Sequence, residues 1–308
     1  MENNENRINL PKVSIIFPAY NSEKNISNLI TSLLQQDYPK NLMEIVVIDN
    51  NSTDRTREMV KRFSVKLLEE KKIQSSYAAR NKGIENAKNE ILAFIDSDCI
   101  ATKEWLKEGV RPIIEDKADL VGGKVEFYFS KGKTASELYD SITNMQIKDN
   151  IKERNVAKTA NLFTKKEIFN KIGLFPNYVK SGGDVQWTNK ATRKGFSLVY
   201  APKAIIMHPA RSLKDLLKKQ YRVGKGMMHI LIQEGRSKLK ILFAIFRLLL
   251  PPRLFSIKKM ISQRGITEMN EKIIKMWWVS YLCNISTAMG ILTSFFMVLK
   301  KGTRYEIK

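Results

Sequence analysis

Cysteine and histidine are scarce in this chain: Cys99, Cys283, His208 and His229 are the only ones in 308 residues. The cysteines lie far apart and form no C-x-x-C pair, so zinc-site and disulfide frameworks lack support and a reducing compartment is expected. The opening MENNENRINL is polar and has no apolar signal core, so the main body of the chain is expected to stay in the cytosol. Acidic residues are also few: 31 Asp and Glu face 53 Lys and Arg, a formal charge of +22. Nucleic acid, an anionic membrane surface or phosphorylated small molecules could answer that charge. No nucleic-acid motif is present, and the basic residues crowd beside apolar C-terminal segments, so no nucleic-acid partner is expected. The glycine-rich basic phosphate loop of nucleotidyltransferases is missing too; Phe17-Pro-Ala-Tyr-Asn21 stands after the first apolar run.

What is present reads as a layered α/β domain. Hydrophobic content of 43% suffices for a real core. Short apolar runs alternate with helical patterns, the mark of a largely parallel sheet. Val13–Phe17 reads as a buried strand closed by Pro18, followed by a helix capped by Asn21 or Ser22. Glu44–Asp49, Val65–Leu68 and Ile91–Ile95 read as further strands, with helices over Ser76–Ala87 and Lys103–Ile114. After a helical, polar stretch near residues 134–155 come Asn161-Leu-Phe-Thr and Ser181-Gly-Gly-Asp184 at a helix start. Strand-like Ser197–Tyr200 and Ala204–Met207 lead to His208. Composition changes at Arg211. The sequence thus divides into a disordered tail over 1–10, an α/β domain over 11–210 and a basic helical region over 211–308.

Asp49, Asp96, Asp98 and Asp184 all fall at strand ends or helix starts. In open α/β sheets, ligands bind in the crevice beyond the carboxyl ends of the strands, so Asp49 and the Asp96/Asp98 pair are expected in one cleft. If the chain stays extended there, Asp96 and Asp98 point the same way and can share a ligand. Paired carboxylates repel unless a cation neutralises them, and hard oxygen donors suit Mg2+ or Mn2+. The competing view of a lone Asp-Ser-Asp is a turn cap; the apolar run before it and Asp49 on a neighbouring strand favour a site.

In order along the chain, Val13-Ser-Ile-Ile-Phe-Pro-Ala-Tyr-Asn21, Val46-Val-Ile-Asp-Asn-Asn-Ser-Thr-Asp54, Ala79-Arg-Asn-Lys-Gly83 and Phe94-Ile-Asp-Ser-Asp98 resemble the family 2 glycosyltransferases of the GT-A fold. The likeness continues through Asn161, Ile172-Gly-Leu-Phe175 and Gly182-Gly-Asp184, covering about the first 210 residues. It implies a Rossmann-like mixed sheet flanked by helices and transfer of a sugar from a nucleotide-sugar donor, with UDP the expected carrier. By this resemblance Pro18, Ala19, Tyr20 and Asn21 would line the base pocket, with an aromatic face for stacking. Asp49 would bond the base or ribose, and Arg80 would lie near the phosphates unless it is an ordinary surface arginine. Asp96 and Ser97 would meet the ribose side, and Asp98 would hold the metal with help from His208, which a structural role would suit nearly as well. Asp184 would be the general base, removing the proton of an acceptor hydroxyl and giving inversion at the anomeric carbon; it also suits a helix N-cap. Where the family commonly has Glu-Asp, this chain has Gly183-Asp184, which removes a neighbouring carboxylate from the acceptor side, where Asn161, Gly183 and Trp187 are also expected. Lys219-Gln220-Tyr221-Arg222 falls short of the Q-x-x-R-W signature of processive synthases, which points to addition of a single sugar. The alternative is an inactive nucleotide-sugar-binding homologue acting as a membrane-associated scaffold.

Met276–Leu299 carries no charged residue and is long enough to cross a bilayer, with Trp277, Trp278 and Tyr281 suited to an interfacial belt. A buried helix or a membrane-lying hairpin is the rival reading. Leu239–Phe255, broken at Pro251-Pro252, reads as an amphipathic interfacial helix. The basic residues between these segments suit an anionic leaflet. The expectation is an enzyme at the cytoplasmic face of the cell membrane, acting on a lipid-linked or envelope glycan.

Overall fold

In a computed structural model, residues 10–179, 181–233, 235–264 and 271–301 are described. The disordered tail expected over 1–10 lies outside them, apart from Leu10. Two compact units are interleaved along the chain. One comprises Met1–Val125, Ile147–Phe175 and Trp187–Ile206; the other comprises Glu126–Gln146, Pro176–Gln186 and Met207–Lys308. Composition alone marks a single boundary near residue 210, whereas the units are built from alternating segments.

The first unit is organised by an eight-stranded sheet of order β3-β2-β1-β4-β7-β6-β8-β5. β1 (Val13–Ala19), β2 (Met43–Asp49), β3 (Lys66–Glu69) and β4 (Ile91–Ile95) pair in parallel. β7 (Asn161–Lys165) pairs antiparallel with both β4 and β6 (Leu120–Tyr128), so the sheet is mixed. β8 (Leu198–Pro209) and β5 (Ile100–Ala101) complete it. The two strand-like pieces expected on either side of Pro202 are one strand, β8.

β1 does not stop at Pro18. Its pairing with β4 ends at Ile16, while its pairing with β2 continues to Ala19 opposite Asp49. Ala19 turns its carbonyl toward β2, accepting from Asn50 N–H at 2.8 Å. Pro18 therefore turns its nitrogen to the side where β4 pairing has already ended, and the missing donor costs no ladder bond.

Strand alternation sorts the apolar side chains onto two faces. Ile15, Phe17, Val47 and Ala93 pack with Leu29, Leu33 and Trp105 from α1 (Ile26–Leu34) and α4 (Trp105–Ile114). On the other face Phe94 meets Phe169 and Phe175, at centroid distances of 6.1 and 5.5 Å. Phe169 belongs to α7 (Glu167–Ile172). The remaining helices of this unit are α2 (Thr56–Val60), α3 (Ser76–Asn86) and α6 (Ile147–Arg154). α8 (Gly183–Arg193) contributes to it from Trp187 onward.

The second unit is mainly helical. α5 (Ala135–Thr143) opens with a capping box, in which Thr134 and Glu137 satisfy each other's backbone N–H groups. α9 (Leu213–Gln233), α10 (Lys238–Leu249), α11 (Leu254–Arg264) and α12 (Ile273–Lys301) follow. Leu138 and Ile142 of α5, Leu216 of α9, Ile257 of α11 and Met276 of α12 share one apolar cluster. A second cluster joins Met228, Ile241, Ile245, Ala288 and Ile291.

Candidate active site

The parallel strands bring their carboxyl ends to one edge of the first unit's sheet. There Ala19 is level with Asp49, and β4 ends just before Asp96. Asp49 is fully buried. Its Oδ2 accepts from Ser52 N–H at 3.2 Å and lies 3.9 Å from Arg57 Nε. Its Oδ1 has no hydrogen-bond partner. A buried carboxylate oxygen left unpaired is costly, and such an atom calls for an explanation in terms of a ligand or an ion.

The second orphan of this unit is Arg80 Nε, on α3. Arg80 is buried, not a surface arginine: its Nη2 donates to Asp96 Oδ1, and its guanidinium lies 5.9 Å from the Tyr77 ring centroid. Only two polar atoms of Arg80 and Asp49 are thus unused, one donor and one acceptor. Both belong to residues at the carboxyl edge or in direct contact with it.

Residues Asp96–Cys99 form a turn, closed by Cys99 N–H on Asp96 O at 3.2 Å. The extended alternation expected for Asp96 and Asp98 therefore does not apply. Arg80 claims Asp96, while Asp98 is partly exposed and accepts a weak Cys99 Sγ contact at 3.8 Å. Asp98 thus offers carboxylate oxygens outside the Arg80 pair, a hard donor set that fits Mg2+ or Mn2+. Ser97 Oγ meets Ser22 Oγ at 2.9 Å, tying this turn to the loop after β1.

Pro18 and Ala19 lie within β1, whereas Tyr20 is 52% exposed just beyond it. Asn21 adopts φ of 48°, a left-handed conformation that asparagine tolerates better than most residues. Its Oδ1 accepts from Thr53 N–H at 2.9 Å, and its own N–H donates to Ser52 Oγ at 3.0 Å. Neither Asn21 nor Ser22 caps α1; Asn25 holds that position without a side-chain bond. Those two side chains are spent joining the loop to neighbouring turns.

Two residues of the Val46–Asp54 motif support the edge from within the fold. Asn50 Nδ2 donates to Glu70 O and Ile73 O at 3.0 and 2.9 Å, fixing the segment before α3. Asp54 accepts from the Thr56 hydroxyl and from the N–H groups of Thr56 and Glu23. Burial opposes its ionisation, but these hydrogen bonds outweigh it and hold the carboxyl below the usual range. A surface depression lined by Leu34, Met43, Glu44 and Lys66 lies at the amino ends of β2 and β3, the opposite edge from Asp49.

Asp184 belongs to the second unit, in the first turn of α8 after the buried Gly183. Its Oδ1 accepts from Val185 N–H at 3.0 Å, which fixes the carboxylate at the helix start. His208 is buried, with Nδ1 at 2.7 Å from Pro209 O and Nε2 at 3.0 Å from Arg211 Nη2. The tautomer that satisfies both bonds carries its proton on Nδ1, so Arg211 engages the Nε2 lone pair. Arg211 is in turn held by the fully buried Asp140, through Nη1 at 3.2 Å and its backbone N–H at 3.1 Å. Lys219 Nζ approaches the same carboxylate at 3.8 Å. This buried ion cluster has no signature in the sequence.

Asn161 and Trp187, expected on the acceptor side, are placed in the core of the first unit. Asn161 accepts from Trp105 Nε1 at 2.9 Å and donates to Lys124 O and Ala204 O, linking α4, β6 and β8. Gly123 leaves room for this amide; a Cβ there would collide with it. Trp187 stacks on Phe169 at 4.2 Å, and its Nε1 donates to Gly173 O at 2.7 Å. Both side chains have their polar groups committed to the fold.

Comparison with known proteins agrees with this architecture. Residues 14–173 match the family model described as Glycosyl transferase family 2. The protein named Glycosyltransferase AglE, of Haloferax volcanii, is 42% identical over 295 residues, covering 92% of this chain and 96% of its own. The Escherichia coli protein named UDP-Glc:alpha-D-GlcNAc-diphosphoundecaprenol beta-1,3-glucosyltransferase WfgD is 35% identical over 117 residues, 37% of this chain and 46% of that protein. Among solved structures, the mannosyltransferase PcManGT from Pyrobaculum calidifontis, in complex with GDP-Man and Mn2+, matches with a TM-score of 0.58. That match covers 95% of this chain and 76% of the other at 18% identity, and it bears on the fold.

Proposed function

Since the chain belongs to glycosyltransferase family 2 and is a glycosyltransferase, we propose that it moves a sugar from a nucleotide-diphosphate sugar to a hydroxyl of a lipid-linked or envelope glycan, with inversion. The observation that carries the donor side is the pair of orphaned buried atoms, Asp49 Oδ1 and Arg80 Nε. Asp49 Oδ1 accepts from a base N–H or ribose hydroxyl while Tyr20 offers its exposed ring to the base. Arg80, fixed by Asp96, meets the phosphates through its unpaired Nε–H. Asp98 supplies hard oxygen ligands for Mg2+ or Mn2+, whose contribution when bound is to neutralise charge on the departing diphosphate.

On the acceptor side, Asp184 takes the proton from the attacking hydroxyl as the new glycosidic bond forms and the sugar–diphosphate bond breaks. Attack opposite the leaving group inverts the anomeric centre. A UDP-sugar is the proposed donor; a lipid-linked acceptor, such as the one in the name of the Escherichia coli relative, would place the enzyme at the cell membrane, with the cytoplasmic face as the proposed side. A thermal-shift panel of nucleoside diphosphates with Mn2+ tests the donor: stabilisation by UDP above GDP is expected, and stabilisation by none of them would overturn the reading. For the base, Asp184→Asn is expected to abolish diphosphate release with nucleotide binding intact; an unchanged rate would remove Asp184 from that role.

A further inference from the structure

α12 is the one helix among the described residues long and apolar enough to cross a bilayer. Length and composition cannot distinguish a helix that crosses from one that lies in a single leaflet. The packing of the second unit can.

α9 and α12 run side by side in the same direction. Ser286 Oγ donates to Leu217 O at 2.7 Å and Ser294 Oγ approaches Lys225 O at 3.5 Å, both with a sequence offset of 69. Between them Gly224 and Gly290 bring the backbones together; a Cβ on either would strike the carbonyl oxygen of Thr287 or Tyr221. At this offset the exposed Lys218 and Arg222 are level with Thr287 and Ile291, near the middle of the candidate span Ile273–Val298. Were α12 to cross a bilayer with this packing, α9 would carry Lys218 close to the hydrocarbon midplane and Arg222 about 8 Å from it, still within the hydrocarbon. At the centre such a cation disfavours insertion by roughly a hundredfold on translocon scales, and the second adds to that cost.

A second side of α12 tells the complementary story. Trp278, Leu282, Met289 and Phe296 are exposed and recur at spacings of four and seven, one stripe along the helix. α10 does the same: Ile241 and Ile245 face the cluster with α12, while Leu239, Phe243 and Phe246 are 78%, 67% and 59% exposed. Exposed Lys240 and Arg247 stand beside these positions on α10, and exposed Lys258 and Lys259 lie on α11. Apolar stripes flanked by cations are what an in-plane helix presents to anionic headgroups and the outer acyl region.

We propose that α12 does not span the membrane but lies within one leaflet of an anionic bilayer, together with α10, as a monotopic anchor. This deepens the membrane-side part of the proposed function; its failure would leave the transfer chemistry untouched, because nucleotide binding is read separately.

The test uses the full chain with protease-cleavable tags at both ends, reconstituted on sealed vesicles of phosphatidylcholine and phosphatidylglycerol. Removal of both tags by protease added outside supports the in-plane helix, and protection of one tag alone overturns it. Flotation provides a second reading: Phe243→Ser with Phe246→Ser, both exposed positions, is expected to lower vesicle partitioning roughly tenfold or more. Unchanged flotation would overturn the proposal. So would a dimer in vesicle-free buffer that this double substitution dissolves, since a second copy would then be the occupant of the face.

Discussion

At the scale of single residues, the site rests on atoms left over after the fold has been satisfied. Asp49 uses Oδ2 on Ser52 and keeps Oδ1 unpaired. Asp49→Asn preserves an acceptor for Ser52 but alters the charge and the free atom. Isothermal titration is expected to show UDP binding weakened about ten- to hundredfold, the scale of a lost hydrogen bond to a charged group. The placement of Asp49, Asp96 and Asp98 at strand ends is legible in the sequence because each follows an apolar strand run. Asn161 and Trp187 are not: a polar or aromatic letter does not say whether its partners are solvent, substrate or the core. Their partners, such as Lys124 O and Ala204 O for Asn161, arrive from distant strands. The Asp140–Arg211 pair is hidden for the same reason, its members standing 71 positions apart.

At the scale of elements, most strands and helices lie where apolar periodicity puts them, and the departures have local causes. β1 passes through Pro18 because pairing with β4 has already ended there, and the Asp96–Cys99 turn replaces an extended segment. The start of α5 gives a pH prediction. Burial opposes ionisation of Glu137, but donors from Ser130 and Thr134 overcome it, so its carboxyl sits below the usual range. A lowered folded-state value means that ionisation stabilises the fold above the ordinary carboxylate range, and that the contribution is lost as pH falls through the lowered value. Glu137→Gln is therefore expected to cost about 1 kcal/mol at neutral pH. The gap to the parent should close in urea titrations carried into strong acid. The α9–α12 contact offers a steric counterpart. Gly290→Val would drive side-chain atoms into the Tyr221 carbonyl, and thermal unfolding is expected to show a loss of about 1–3 kcal/mol or more.

At the scale of the whole molecule, the charge of +22 acts through surfaces, not through the fold. Binding to anionic vesicles is expected to weaken as salt rises from 0.05 to 0.5 M, roughly, because exposed cations are screened within a Debye length. A residual fraction should persist through the apolar stripes of α10 and α12. Cosedimentation across salt concentrations reads both contributions.

The interleaving of the two units also sets a timetable for synthesis. Leu138, Tyr139 and Ile142 leave the ribosome early, yet their cluster is completed by Leu216, Ile257 and Met276. At translation rates of about 5–20 residues per second, α5 waits on the order of ten seconds for its last partner. During that interval its apolar face has no native cover. A chain stopped after residue 210 makes the wait permanent. Such a fragment, despite retaining the entire sheet, is expected to be captured by chaperones or to aggregate, which pelleting of the expressed fragment beside the full chain would reveal.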